Sequence, residues 1–227
     1  FQLSEMETCT TINSLFLQKV FKNVLHLQTG SKNKNLPALA FILDKDSKAN
    51  LLKGYFSGDG SISQGEKGRC HIEAGTISKA LANDLLYLLL DFGIVATCYT
   101  QEIKISPNKV YRISILGVNN FEKFSDIGFI DQKRNLRIRE YILSRKWART
   151  DLIPLSGELY ELASQQNSVY STNKSIGKEA LKNMLILVDR DKSKYKEYWN
   201  LVEGDLYLDL IKEIKVVDSE EYVYDIS

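Results

Sequence analysis

Apolar residues recur along this chain at two spacings, and the change from one to the other marks out the elements. Leu15, Phe16, Val20, Val24 and Leu27 share one helical face, which predicts a helix over 15–27 with His26 inside its apolar pattern. Leu51, Leu52, Tyr55 and Phe56 repeat at helical spacing, while Gly54 and Gly58 lie four apart on a stripe where a second helix could approach closely. Asp59 falls at the end of that helix. Gly60 is suited to a left-handed C-cap, and Ser61, Ile62 and Ser63 open a strand. A loop between Gly65 and Gly68 leads to a second strand, in which Cys70, Ile72 and Ala74 alternate with Arg69, His71 and Glu73. An amphipathic helix follows over 77–92, with Thr76 or Ser78 near its start and Gly93 as its stop. Two more strands, 94–105 and 109–116, join around Pro107-Asn108, and in the second Tyr111, Ile113 and Ile115 alternate with Arg112 and Ser114. A further helix begins near Asn119, giving the order helix, two strands, helix, two strands, helix.

The pattern changes after residue 150. DLIPLSGELYELASQQ and STNKSIGKEALKNMLI both read as helical, with Ser175 near the start of the second as a cap. The tail GDLYLDLIKEIKVVDSEEYVYDIS alternates apolar and polar residues and predicts strands.

At 227 residues the chain has room for one or two domains, and 44% hydrophobic with 26% charged content is that of a soluble globular protein. No run approaches the roughly 18 apolar residues of a membrane span and no signal-peptide pattern appears, so the expectation is a cytoplasmic protein without a membrane partner. Cys9, Cys70 and Cys98 are widely spaced and odd in number; they read as buried thiols, neither a disulfide framework nor a zinc site. With only His26 and His71, a histidine-based hydrolase or histidine-rich metal site is disfavoured. The formal net charge is +1, but it is unevenly spread. Over 133–149 the bases Lys133, Arg134, Arg137, Arg139, Arg145, Lys146 and Arg149 meet a single acid, Glu140, whereas the tail is acidic. One face is therefore expected to meet an anion, a solvated helix face being the plainer alternative.

Asp59 carries the chemistry. A carboxylate at a helix C-terminus faces the negative end of the dipole, which costs about 0.3–1 kcal/mol unless a cation is near. This makes Asp59 a candidate metal ligand, although Asp-Gly is also a common turn pair. The stretch LLKGYFSGDGSI resembles the LAGLIDADG motif of homing endonucleases: Leu52, Gly54, Phe56, Asp59 and Gly60 match, and Ser57 departs where the family often has a second acid. ISKALANDLLYLLLDFGIVA is similar to the family's element after the first hairpin, so the resemblance covers about 12–150.

That resemblance implies an α+β fold, a LAGLIDADG half-domain of order αββαββα with a saddle-shaped antiparallel sheet. It implies helix packing through Gly54 and Gly58, Asp59 as catalytic metal ligand for Mg2+, and Lys133, after FSDIGFIDQK, as the assisting lysine. Lys123, Lys104 and Lys109 are weaker alternatives for that last role. The exposed sheet face would read double-stranded DNA, with Arg69, His71, Thr97, Tyr99, Gln101, Arg112 and Ser114 assigned by alternation.

The loop GSKNKN leading into LPALAFIL, with Lys34 and Pro37, resembles the segment before the second motif helix of inteins, and EYVYDIS resembles a strand near their end. The implied organisation is the end of a first repeat and linker over 1–50, a second repeat over 51–150, a small helical insert over 151–200, and strands returning to a Hint splicing domain over 201–227. In the insert Lys174, Lys178 and Lys182 are candidate phosphate contacts, domain packing being the alternative.

No second helix ending in small-Asp-Gly is present. The expectation is therefore the carboxyl-terminal portion of an archaeal-type intein whose partners are DNA and the upstream endonuclease half and splicing domain of one precursor. The function implied is a site-specific, metal-dependent double-strand cut, with the fragment alone inactive in cutting and in splicing. The alternative is a non-catalytic LAGLIDADG-fold DNA- or RNA-binding module, a regulator or maturase; a structural α+β domain with no site is the plainest reading.

Overall fold

The computed structural model describes residues 2–6, 9–64, 70–102, 108–144, 152–155, 157–166, 175–204, 206–208, 211 and 213–216. The chain divides into two compact units, Phe1–Ala148 and Arg149–Ser227. Among the described residues no helix is long and apolar enough to cross a membrane.

The first unit opens with an antiparallel hairpin of β1 (Gln2–Met6) and β2 (Cys9–Asn13). Ser14 caps α1 (Leu15–Lys19), which runs into a π-helical turn over Val20–Val24. This is shorter than the helix expected over 15–27. Its apolar face is also uncovered: Leu15 is 77% and Phe16 74% exposed. His26 is exposed and ends the segment at φ +52°, so it is a terminator and not a core residue.

A short α2 (Leu39–Ile42) precedes α3 (Lys45–Asp59), whose N-terminus is capped by Asp44 accepting from the Ser47 amide and hydroxyl. β3 (Gly60–Gln64) follows without a break, then β4 (Cys70–Thr76), α4 (Lys79–Leu90), β5 (Ala96–Glu102), β6 (Lys109–Ile115), α5 (Val118–Ile127) and α6 (Gln132–Ser144). The helix and strand order read from the sequence is thus present. The four strands form one antiparallel sheet, β3-β4-β6-β5.

Alternation assigns each strand's side chains to two faces. On one face Ile62, Ile72, Ala74, Ile113 and Ile115 are buried in a core with Leu52 and Phe56 of α3, Leu81, Leu85, Leu88 and Leu89 of α4, and Phe121 and Phe124 of α5. Phe56 meets the Phe124 ring edge-on at 5.1 Å between centroids. Cys98 departs from the expected burial: it lies on edge strand β5, where its side chain is exposed, and Cys70 is half-buried. Ser78 caps α4 by accepting from the Leu81 amide, and Gly93 ends that turn at φ +64°.

Gly60 is not the left-handed cap expected. Its backbone is extended, at φ −100° and ψ 165°, and its amide donates to Phe56 O. The glycine is required by space: a Cβ there would fall 2.4 Å from that carbonyl oxygen. Added at Gly54 or Gly58, a Cβ meets nothing within 4 Å among the described residues, because both lie on the exposed stripe of α3.

The second unit holds a short ladder of β7 (Leu152–Pro154) and β8 (Ser175–Gly177), with α7 (Gly157–Gln166), α8 (Lys178–Val188) and α9 (Lys196–Glu203) around Leu162, Leu181, Leu185 and Trp199. Ser175 is a strand residue and not the cap of α8; Gly177 holds that place without a side-chain bond. Asp189 organises the α8 to α9 turn, accepting from the Lys194 and Tyr195 amides and the Trp199 indole. Burial pushes its carboxyl up, but these donors outweigh burial and hold it below the usual value. The described tail residues 206–208, 211 and 213–216 carry no strand, and Leu206, Ile211, Ile214 and Val216 are exposed: the alternating face has no partner strand among the described residues. The stretch EYVYDIS lies outside the described residues.

These glycines separate experimentally. Gly54→Ala should raise the stability of the first unit by about 0.5–1 kcal/mol through helix propensity. Gly60→Ala should lower it by about 1–3 kcal/mol through overlap with the α3 backbone. Urea unfolding gives the order; equal midpoints for wild type and Gly60→Ala would mean that the α3–β3 junction relaxes freely.

Candidate nucleic-acid and metal site

Asp59 is the last residue of α3 and is exposed. Its neighbouring backbone is fixed by a residue distant in sequence. Arg134, on the first turn of α6, donates through Nη1 to Ser57 O and to Gly60 O, both at 3.1 Å. These carbonyls bracket Asp59, so a guanidinium occupies the electronegative helix end that the carboxylate would otherwise face alone. Arg134 also lies over the Phe129 ring, 5.3 Å from its centroid, with Nε 3.6 Å from Asp131 Oδ2. Asn135 clamps Phe129, accepting from its amide at 2.7 Å and donating to its carbonyl at 2.8 Å.

Ser57 takes part in the same junction. Its hydroxyl donates to Lys53 O at 2.6 Å and accepts from the Ile130 amide at 2.9 Å. Where the motif often places a second acid, this chain has a tie between α3 and the segment before α6. One turn earlier, the Tyr55 hydroxyl is buried without a well-aligned hydrogen-bond partner among the described residues. Burial and the charge of Asp59 push this phenol up to about 12, against a small opposing effect of the nearby Thr76 hydroxyl. The ring therefore stays protonated through the neutral range.

Asp59 opens onto a cavity of about 410 Å³ lined also by Ser31, Lys34, Gly75, Thr76, Ile77, Val110 and Arg112. Gly75 forms part of its wall, where a Cβ would sit close to the Arg112 and Val110 side chains, 3.3 Å from Arg112 Nη1 and 3.4 Å from Val110 Cγ1. Lys133 is not among the lining residues. It is exposed on the first turn of α6, where its amide donates to Asp131 Oδ1. Lys123 donates to Gly93 O, Lys109 lies 3.8 Å from Glu102, and Lys104 is outside the described residues.

The register brings the remaining candidates together. Ser61 pairs with Glu73, Glu73 with Ser114 and Ser114 with Thr97; Gly75 pairs with Arg112 and Arg112 with Tyr99; Ser63 pairs with His71 and Val110 with Gln101. His71, Thr97, Tyr99, Gln101, Arg112 and Ser114 consequently share the sheet face opposite the helices. Arg69 is outside the described residues. Arg112 Nε donates to Gln101 Oε1 at 3.0 Å, and Tyr99 Oη donates to Glu73 Oε1 at 2.9 Å, across the intervening strand. Ser114 lies on that ladder between Glu73 and Thr97 and is only 4% exposed, so it is not available to a ligand on the face. Glu73 lies on this face as its alternation with His71 predicts, and through Tyr99 it takes part in the surface network, a role the sequence does not reveal.

In the second unit, Lys178 donates to Gly204 O and Leu206 O and so caps the end of α9. Lys182 is half-buried on α8, and Lys174 is outside the described residues.

Among the described residues no group of three or more His, Cys, Asp or Glu side chains is placed to hold a metal. Asp59 is a single exposed carboxylate beside two cations. That donor set does not fit a closed protein cage. A lone exposed carboxylate of this kind holds a divalent ion only together with waters, substrate phosphates or ligands from elsewhere.

The Arg134 junction has a measurable weight. Arg134→Met should destabilise the first unit by about 2 kcal/mol, the scale of charge-assisted hydrogen bonds lost to partly buried carbonyls, with an unchanged urea m-value. An unchanged midpoint would show that the guanidinium bonds are redundant with solvent.

Comparison with known proteins finds a family match and several relatives. Residues 46–128 match the LAGLIDADG-like domain family. An uncharacterized protein of Methanocaldococcus jannaschii is 36% identical over 120 residues, covering 51% of this chain and 13% of that protein. The DNA polymerase II large subunit of Thermococcus kodakarensis is 30% identical over 154 residues, covering 60% of this chain and 8% of the subunit. A DNA polymerase of the same organism is 26% identical over 198 residues, covering 87% of this chain and 10% of the polymerase. The chain thus spans about a tenth of the length of these relatives. The stretch from α3 through α5 is thus similar to the LAGLIDADG-like domain family over residues 46–128.

Proposed function

We propose that the chain is part of a site-specific DNA endonuclease carried in an archaeal-type intein, with the upstream endonuclease half and the splicing domain in the same precursor. The observation that carries this reading is the position of Asp59: an acid at the end of the motif helix, at the mouth of a cavity that also holds Lys34 and Arg112, beside a polar sheet face. The relatives support the intein part. One stretch recurs as 8% of a polymerase II large subunit and 10% of a DNA polymerase, as expected of an element inserted into different hosts.

In this mechanism Asp59 is the protein's ligand to Mg2+. The bound ion supplies Lewis acidity toward a phosphoryl oxygen and an acidified water. Arg134 fixes the backbone on both sides of that ligand. Arg112, Tyr99, Gln101, Thr97 and His71 face the DNA, where a polar, antiparallel surface can meet base edges in the major groove. Lys133, next to Arg134, takes the charge-stabilising role that the resemblance assigns. The exposed stripe of α3 at Gly54 and Gly58 receives the corresponding helix of the upstream half, whose own acid completes a two-carboxylate site.

The test is plasmid cleavage in Mg2+ using DNA that carries the uninterrupted host coding sequence. An upstream-extended chain containing a first motif should cut once, and Asp59→Asn in that chain should slow cutting by on the order of 100-fold or more. Cutting that survives Asp59→Asn would remove Asp59 from the metal site. DNA binding without cutting by the extended wild type would favour the non-catalytic module instead.

A further inference from the structure

The core of the first unit uses the ring of Tyr55 but not its hydroxyl. The ring packs against that core and meets Phe56 edge-on at 6.0 Å between centroids, contacts that a phenylalanine would make equally well. The hydroxyl is buried without a well-aligned partner among the described residues, and a polar group taken out of water in this way costs free energy unless an acceptor is within reach. Two groups lie near enough to act on it, the Asp59 carboxylate and the Thr76 hydroxyl.

Helix and sheet bring these three residues to one place. Asp59 follows Tyr55 by four residues, one turn along the same face of α3, and helical side chains lean toward the N-terminus, so the carboxylate lies over the turn that carries Tyr55. The β3–β4 register ends with Gly60 opposite Ala74, which sets the next residues of β4, Gly75 and Thr76, beside the end of α3. Thr76 and Asp59 accordingly line the same cavity. Thr76 Oγ1 already accepts from the Ser78 amide at 3.1 Å, which leaves it one lone pair and one proton to place.

We infer that Tyr55 and Thr76 form a hydroxyl relay that positions the Asp59 carboxylate. The Tyr55 hydroxyl donates to Thr76 Oγ1, and Thr76, with both lone pairs engaged, donates to Asp59 directly or through one water in the cavity. An exposed carboxylate otherwise turns freely about its side chain; a fixed donor selects which of its oxygens faces a ligand. Tyr55 and Thr76 are positioning residues, acting through Asp59. The consequence for cutting rests on the reading of the chain as part of an endonuclease.

The first arm of the experiment is urea unfolding of the chain as it stands. Tyr55→Phe keeps the ring and should lower the midpoint, whereas a hydroxyl without partners is lost at no cost or with a gain. In a double-mutant cycle Tyr55→Phe and Asp59→Ala should be non-additive by about threefold or more in the folding equilibrium constant. Thr76→Ser should keep this coupling and Thr76→Val abolish it. Tyr87→Phe, exposed on α4, should add independently to Asp59→Ala. The second arm is single-turnover plasmid cutting in Mg2+ by the upstream-extended chain. There Tyr55→Phe should slow cutting by about tenfold at unchanged DNA affinity, because the orientation of the acid is used in the reaction and not in binding.

Additive effects of Tyr55→Phe and Asp59→Ala in folded proteins overturn the inference. A Tyr55→Phe chain that cuts at the wild-type rate overturns it as well. If the extended wild type does not cut, the endonuclease reading falls, and the urea cycle decides the relay by itself: coupling supports it and additivity removes it.

Discussion

A guanidinium held against the last carbonyls of α3 is the interaction on which the site depends. Placing an aspartate at a helix C-terminus sets a negative charge against unpaired carbonyl oxygens, and the unit resolves the conflict with Arg134 bonded to Ser57 O and Gly60 O. Around it the Ser57 hydroxyl, the Ile130 amide and the Asn135 clamp on Phe129 join the end of α3 to the start of α6. The Phe56, Phe124 and Phe129 rings pack beneath, so the polar junction rests on an aromatic floor. Asp59 is thereby left exposed on a backbone that has little freedom to move. Exposure of the acid and rigidity of its support come from the same set of contacts.

The sheet adds the second constraint. Helices cover one face only, so period-two alternation gives β3, β4 and β6 a core set and an open set, while the edge strand β5 is exposed from Thr97 onward. The open set is not a row of independent side chains: Tyr99 reaches Glu73, and Arg112 is bound to Gln101. Burial pushes the Tyr99 phenol up, the Glu73 bond and charge reinforce this, and Arg112 opposes it. A ligand on this face meets a pre-organised network, in which a donor freed from one partner leaves a carboxylate or amide oxygen to be satisfied in turn.

What the sequence made legible follows from how local each signal is. The helix and strand order, the core set and the face shared by His71, Thr97, Tyr99, Gln101 and Arg112 rest on periodicity, which a single chain carries by itself. The misses are contacts between distant residues. Gly60 looked like a left-handed cap because its true constraint, the Phe56 carbonyl, is set by how sharply β3 leaves α3. The arginine at 134 stood beside the lysine that the resemblance favoured, and only the fold shows which of the two side chains turns to the helix end. Ser114 obeyed the alternation, yet it is buried on the ladder between Glu73 and Thr97. His26 and the apolar residues near it fitted a core helix by spacing, but spacing does not say whether anything covers the face.

Gly54 and Gly58 pose a different kind of question. Each sits inside a regular right-handed helix, where glycine costs roughly 0.5–1 kcal/mol against alanine. Gly60 has a steric reason, but among the described residues these two do not, since a Cβ at either position meets open space there. Two unforced glycines one turn apart on an exposed stripe lower the stability of α3 without any return from its own packing. Residues that weaken a fold without an internal reason are where an external requirement is to be sought. On the proposed reading that requirement is the close approach of a helix backbone from the upstream half, which a bare stripe admits and a row of side chains would hold off.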